Sequence, residues 1–477
     1  MKRSDKYKMK QSESKKDRRG TDGYAAVRTP DTGFDLRMFW SALRGMFTAR
    51  GIHFSLLTLL LCAFAGVLLL CGVYLLPAEP MEAHMPATAE IFAREGTYPL
   101  ISRRWATSYL DNTTDSVMFM EASDKSALPT LQRALLVPRG IFASASEDPN
   151  GKDDSILDPV GRYVLGLSFS GVTSYPRYWH GYLLYVKPLL ALTHYGNMRI
   201  LNGVIQVLLV LLLFWRMAKK NRRELILPWL LMYLLLMPLS LAKSFQFSSC
   251  FYILLLSSHA CLSADQDRDR LTGLFLYAGI ATAYFDFLTY PAATFGVPAI
   301  LALSLMRRET AEWKLAFLVR AGLGWCFGYA GMWALKWGIA SLLTDENVIL
   351  DAWNNIRFRT SHAMPGNAPA ISTASCLRMV TVGFFRSPLA VPAALYAAVM
   401  IFRLVRRRRT GEKEGLRIVL PYLLVGLLPF VWFCLTVNHS YVHYYFTCRA
   451  LCVSILALLV CLAELCRAAD NAPVTQK

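Results

Sequence analysis

Residues 52–76 read IHFSLLTLLLCAFAGVLLLCGVYLL, without one Asp, Glu, Lys or Arg. A helix of that length is about 37 Å long and overspans a bilayer's hydrocarbon core of roughly 30 Å. It has no polar face to turn to water, so the chain must be built around lipid. Further apolar blocks of roughly 18–25 residues follow. Spans are expected at 52–76, 198–218, 225–242, 247–264, 271–287, 289–306, 318–343, 385–402, 417–436 and 449–466. A hydrophobic content of 55% and a mean hydropathy of +0.34 agree. The expected fold is an all-α polytopic membrane protein with about ten transmembrane helices, carrying a large outward loop of interfacial helices between the first and second spans.

The net charge of +18 does not form a nucleic-acid patch. It lies in the N-terminal tail and in short loops: KKNRR (219–223), RR (307–308) and RLVRRRRTGEKEGLR (403–417). Basic clusters between spans hold their loops in the cytoplasm, helped by anionic lipid. With ten spans, both termini fall inside and every basic cluster faces the same compartment. Residues 1–50 read as a disordered basic cytoplasmic tail ending in an amphipathic lead-in around FDLRMFWSALRGMF. Residues 51–310, including the outward loop 77–197, read as one membrane module. Residues 311–477 read as C-terminal membrane helices with a second outward loop, 344–384. The cysteines, Cys62, Cys71, Cys261, Cys326, Cys452 and Cys461 among them, sit mostly in apolar segments and suggest neither disulfides nor zinc.

Several polar side chains are placed where apolar ones belong. In YPRYWHGYLLYVKPLLALTHYGNMRILNGV, one helical phase puts Arg177, His180, Lys187 and His194 in a stripe within about 100°. That is an interfacial anchor with its basic stripe in water, or a rim for a lipid-linked phosphate; Pro188 breaks or kinks it, so the segment is expected as one kinked helix or as two shorter ones. Arg199, opening the second span with Asn202, and Lys336, between Trp333 and Trp337, either snorkel to the interface or bind phosphate. Asp286 needs a partner or a polar cavity at its depth. Arg357 and Arg359 lie in an outward loop, either a solvated connector or a mobile cover over an anionic ligand. NHSYVHYYFTCR (438–449) carries His439, His443 and Arg449; the histidine pair lacks a third metal ligand and suits titratable groups over a cavity. Asn112 and Asn438 match the glycosylation acceptor pattern.

The stretch SYLDNTTDSVMFMEAS (108–123) holds Asp111 and Asp115 four residues apart in the large outward loop. Asn112, with an acid three residues on, resembles a helix N-cap. The alternative is a general base: a partly desolvated carboxylate that takes a proton from an acceptor while arginines hold a departing phosphate.

One span, a large outward loop with acids, interfacial helices and a second span opening MRILNGV and running through LFWRMAKK together resemble the GT-C glycosyltransferases over roughly residues 50–310. That superfamily includes the protein O-mannosyltransferases and the bacterial lipid A aminoarabinose transferases. The resemblance implies inverting hexosyl or pentosyl transfer from a polyprenyl-phosphate sugar to a cell-envelope glycan, lipid or protein acceptor, on the outer face of a bacterial inner membrane. It implies Asp111 or Asp115 as base. Arg103, Arg104, Arg199, Lys336, Arg357 and Arg359 are then expected at the donor phosphate, with His180, Lys187, Asp286, His439, His443 and Arg449 around the pocket. No cofactor is needed, since cations can stabilise the leaving phosphate, although two carboxylates leave a divalent ion open. A polysaccharide polymerase or ligase, or a transporter or flippase of a lipid-linked anion, are the alternatives.

Overall fold

The computed structural model describes residues 34–46, 48–102, 105–141, 159–166, 171–264, 267–364, 369–407 and 412–471. The chain divides into two units, Met1–Asp35 and Leu36–Lys477, and every described helix and strand belongs to the second. The expected tail lies mostly outside the described residues. Its lead-in forms helix α1 (Leu36–Met46), which buries Ala42 and packs along a later helix.

Helix α2 (Ala49–Tyr74) is the first long apolar helix, capped by the Thr48 hydroxyl on the Gly51 amide. Leu59, Ala63, Val67, Leu70 and Tyr74 are buried at steps of three and four, so one face packs on protein. The other face exposes Leu57, Leu61, Phe64 and Leu68, which only lipid can accommodate. A run of short elements follows: α3 (Glu79–Ala83), α4 (Met85–Glu95), α5 (Asn112–Ala122), α6 (Thr130–Leu136), β1 (Arg139–Ile141), α7 (Pro159–Val164), β2 (Gly171–Thr173) and α8 (Leu183–Leu192). The two strands pair antiparallel, Arg139 opposite Thr173.

The bundle then continues with α9 (Tyr195–Lys219), α10 (Ile226–Leu235), α11 (Pro238–Lys243), α12 (Phe245–Ala264), α13 (Arg268–Phe285), α14 (Ala292–Leu305) and α15 (Ala311–Leu343). It closes with α16 (Val348–Arg359), α17 (Thr373–Phe385), α18 (Ala390–Arg407), α19 (Glu412–Leu435), α20 (Val437–Val442), α21 (Tyr444–Thr447) and α22 (Cys452–Asn471). The protein is thus all-α and membrane-embedded. Among the described residues six helices are long and apolar enough to cross a bilayer, seven if α17 and α18, bent by 91°, are counted as one span.

Two expectations change. The stretch 225–242 is not one continuous span: Met237 takes a left-handed conformation (φ 60°) and Pro238 starts the short α11. Nor is the helix through Arg177 to His194 continuous, although Pro188 sits inside α8 without ending it. The breaks fall on either side, at His180 (φ 56°), with α8 starting only at Leu183, and at the extended Thr193.

The expected outward segments meet at one end of the bundle. Arg177 bonds Asp351 at 2.8 Å, Ser174 donates to Glu346, and Tyr445 reaches Asp111. At the other end of α9, about 36 Å away along 25 residues, the loops carry the basic clusters.

Candidate functional site

The acidic stretch forms the start of α5, one residue earlier than its cap pattern suggested. Asp111, not Asn112, is the N-cap: its Oδ1 accepts the Thr114 amide at 2.9 Å and its Oδ2 the Thr114 hydroxyl. Tyr445 donates to the same Oδ2 at 3.3 Å, and the Asp111 amide is held by Ser244 Oγ. Burial raises the Asp111 pKa, against the Thr114 and Tyr445 bonds and the charge of Arg449.

Asp115 has a different task. Its Oδ2 accepts the Phe245 amide at 2.9 Å and its Oδ1 the Gln246 amide at 3.0 Å; the Tyr195 hydroxyl also donates to Oδ2. Phe245 and Gln246 open α12, so Asp115 caps a second helix from across the fold and satisfies two of its unpaired amides. Burial pushes its pKa up to about 7, opposed by those three donors and the nearby Arg199.

Arg199 links this stretch to the flank of the bundle. Its guanidinium forks onto Glu95 at 2.8 and 2.9 Å and donates to Asn112 Oδ1, the Tyr195 hydroxyl and the Lys243 carbonyl. It lies 4.0 Å from the Tyr195 ring centroid. The side chain is 7% exposed and does not snorkel, and most of its donors are occupied. Beside it opens a groove of about 540 Å³ between α4, α9 and α11. Ile200, Val204, Val207, Leu208 and Leu239 give it apolar walls, while Arg94, Glu95, Arg199 and Lys243 stand at one end. The Arg94 and Lys243 side chains have no ion-pair partner among the described residues.

Over Asp111 lies a cover of aromatic rings. Tyr445 packs edge-on to Tyr98 at 5.3 Å and against Tyr109 at 5.8 Å, and Tyr109 meets Tyr444 at 6.5 Å. His443 accepts or shares a hydrogen with Arg359 at 3.1 Å and stacks on Phe446, while His439 bonds the Leu288 carbonyl at 2.7 Å. Burial, then the neighbouring charges, lowers both imidazoles, His443 to about 4, so both are neutral at physiological pH. Arg449 is fully buried, giving its donors to the Tyr445 and Thr107 carbonyls and Ser240 Oγ.

Most of the other expected site residues bond groups of the protein itself. Lys187 is buried rather than facing water, and donates to the Ala122 carbonyl at 2.6 Å where α5 ends. Lys336 neither snorkels nor lies free for phosphate. It is 0% exposed and donates to the Leu135 carbonyl at 2.8 Å and that of Ala134 where α6 ends. A buried ammonium must find acceptors, and the last carbonyls of a helix are unpaired and carry its negative dipole end. His180 is buried beside Glu121 and Tyr182, with Nε2 on the Tyr175 carbonyl. His194 caps α9. Asp286 closes a turn with Thr289. Arg359 joins the aromatic cover, whereas Arg357 is exposed at the end of α16. Arg103 and Arg104 lie outside the described residues. Asn112 and Asn438 are both buried and bonded, the first to Gly96 and Arg199, the second to Ala363, which leaves neither amide open to a glycan.

Among the described residues no three His, Cys, Asp or Glu side chains gather as a metal set. Sequence reasoning passed over Glu95, Tyr195, Lys243 and Glu121. Tyr195 and Arg199 stand at i and i+4, a spacing that announces a shared face; Glu121 lay inside the acidic stretch itself, bonded to Tyr182. No family model, curated protein or solved structure matches this chain.

Proposed function

We propose that the protein is an integral membrane glycosyltransferase that moves a sugar from a polyprenyl-phosphate donor to a cell-envelope acceptor at the outer face of a bacterial inner membrane. The observation that carries this reading is the apolar groove on α9. It ends at cations, and one of them, Arg199, is bonded to the segment holding Asp111 and Asp115. A polyprenyl tail matches the exposed aliphatic wall, and its phosphate matches Lys243 and Arg94, which have no ion-pair partner among the described residues. The acceptor hydroxyl gives its proton to Asp111, its oxygen attacks the anomeric carbon, and the bond to the phosphate oxygen breaks. The polyprenyl phosphate leaves as an anion stabilised by the cations, and one displacement inverts the centre. Asp111 is chosen over Asp115 because Asp115 is committed to α12. The tyrosines over Asp111 offer flat apolar faces for a sugar ring, and the Tyr98–Tyr445 pair must swing aside to admit it.

The topology proposed with this function has ten crossings. Six are the long helices, and the others are the bent α17–α18 pair, α10 with α11, α13 and α14. Both termini and the basic loops are then cytoplasmic. Transfer from a radiolabelled polyprenyl-phosphate sugar tests the chemistry. Asp111→Asn should abolish it, and a double Asp111→Asn, Asp115→Asn variant with full activity would end the proposal. Tyr98 is exposed, and a Tyr98→Cys variant should react with an impermeant maleimide from the periplasmic side.

A further inference from the structure

The end of the bundle opposite Asp111 holds a cavity of about 620 Å³ bordered by six cations: Lys219, Lys220, Arg222, Arg307, Arg308 and Arg467. Three come from the turn after α9, two from the turn after α14, and one from α22. Topology signals need only charge in a loop, on mobile side chains. Here the charges border one cavity where three helices end or begin to turn.

The turn after α9 is a Schellman motif. Asn221 is left-handed (φ 56°), its amide bonds the Ala218 carbonyl, and the Arg222 amide bonds that of Met217 at 2.8 Å. The turn therefore fixes the backbone from which Lys219, Lys220 and Arg222 extend. Arg307 is anchored between Glu224 and Glu464, the latter at 2.8 Å, and Arg467 bonds the second oxygen of Glu464 at 2.7 Å. Glu224 and Glu464 thus pair with Arg307 and Arg467. Lys219, resting on the Trp215 ring, and Arg308 have no acidic partner among the described residues. Arg222 has its pKa lowered by burial and next by Arg307, against the charges of Glu224 and Glu464. Trp215, on the last turns of α9, is 57% exposed, and an indole in that position marks headgroup depth.

We propose that this cavity binds a polyanion bearing two phosphate groups. Its depth favours the headgroup of a diphosphate phospholipid over a free pyrophosphate, and the anion would tie the ends of α9, α14 and α22 together. The site is separate from the proposed transfer centre and does not depend on it.

The full-length protein, purified in detergent and stripped of lipid, is titrated with cardiolipin and, in a separate arm, with inorganic pyrophosphate; both are read by native mass spectrometry. Lys219→Gln, Arg222→Gln and Arg308→Gln together should weaken binding by about 100-fold, from the usual strength of a basic residue at an anionic headgroup. The pair Lys219→Gln and Arg308→Gln changes two exposed side chains and serves if the triple variant unfolds; it should still lose about 30-fold. Cardiolipin binding lost in the variants supports a lipid ligand. Pyrophosphate binding lost, with cardiolipin indifferent, supports the same site with a soluble ligand. Equal binding by wild type and variants in both arms, or no binding in either, overturns the proposal.

Discussion

Two carboxylates one helical turn apart should respond in opposite ways to mutation, and the hydrogen bonds say how. Asp115→Ala removes the acceptor from the Phe245 and Gln246 amides and from Tyr195. The tyrosine has the Lys243 carbonyl 2.9 Å away and can re-pair. The two amides are the first of α12 and have no other partner there. A buried donor left unpaired costs about 1–3 kcal/mol, so the expected loss is about 2–6 kcal/mol. Asp111→Ala loses an N-cap, about 0.5–2 kcal/mol, and Asp111→Asn almost nothing, because asparagine caps as well as aspartate. Thermal unfolding of the detergent-purified protein, followed by tryptophan fluorescence, should rank them Asp115→Ala far below Asp111→Ala, with Asp111→Asn near wild type. An Asp115→Ala protein as stable as Asp111→Ala would refute the cross-fold cap. It would also remove the reason for naming Asp111 as the base.

The Asp115 pKa adds a pH signature to the same residue. A carboxyl raised from 3.8 to about 7 by burial binds more protons folded than unfolded between those values. Stability therefore falls as pH rises from about 4 to about 7 and is level above it. Asp115→Asn should flatten that slope, and an unchanged slope would show that the group does not titrate in the fold.

Lys243→Ala and Arg94→Ala should lower kcat/KM for a polyprenyl-phosphate donor with unfolding temperature unchanged, since neither side chain has an ion-pair partner among the described residues; an unchanged kcat/KM would argue against a phosphate role. Lys336→Met should lower stability by about 1–3 kcal/mol by stranding the carbonyls that end α6, and a stable but inactive variant would return it to the phosphate site. Gly279→Ala should destabilise by about 1–3 kcal/mol or more, because a β-carbon there would strike the Trp325 carbonyl where α13 crosses α15; a neutral effect on thermal unfolding would mean the two helices can part.

The membrane class and the position of the long helices were legible because hydropathy acts along the chain, one residue at a time. α2 and α9 fall within a few residues of the expected 52–76 and 198–218. Breaks were harder to read. The left-handed Met237 and the extended Thr193 have no Gly to announce them. At the candidate site the carboxylates could be found, but their division of labour could not. That division depends on α12 beginning against Asp115, a contact separated by 130 residues in sequence.

The same limit explains why charged residues near the membrane surface divided as they did. A sequence shows that Arg199, Lys187, Lys336 and Arg449 are costly at their depth; it does not show which groups offset that cost. In each case the partner is a helix-end carbonyl, a loop carbonyl or, for Arg199, a carboxylate from α4. Unpaired carbonyls are plentiful where short helices end inside a folded segment, and a buried cation reaches them without any ligand. Depth alone is therefore a poor guide to phosphate binding. The better guide is a cation left unpaired next to an apolar channel, and by that criterion Lys243 and Arg94, which no hydropathy argument picks out, rank ahead of every buried lysine.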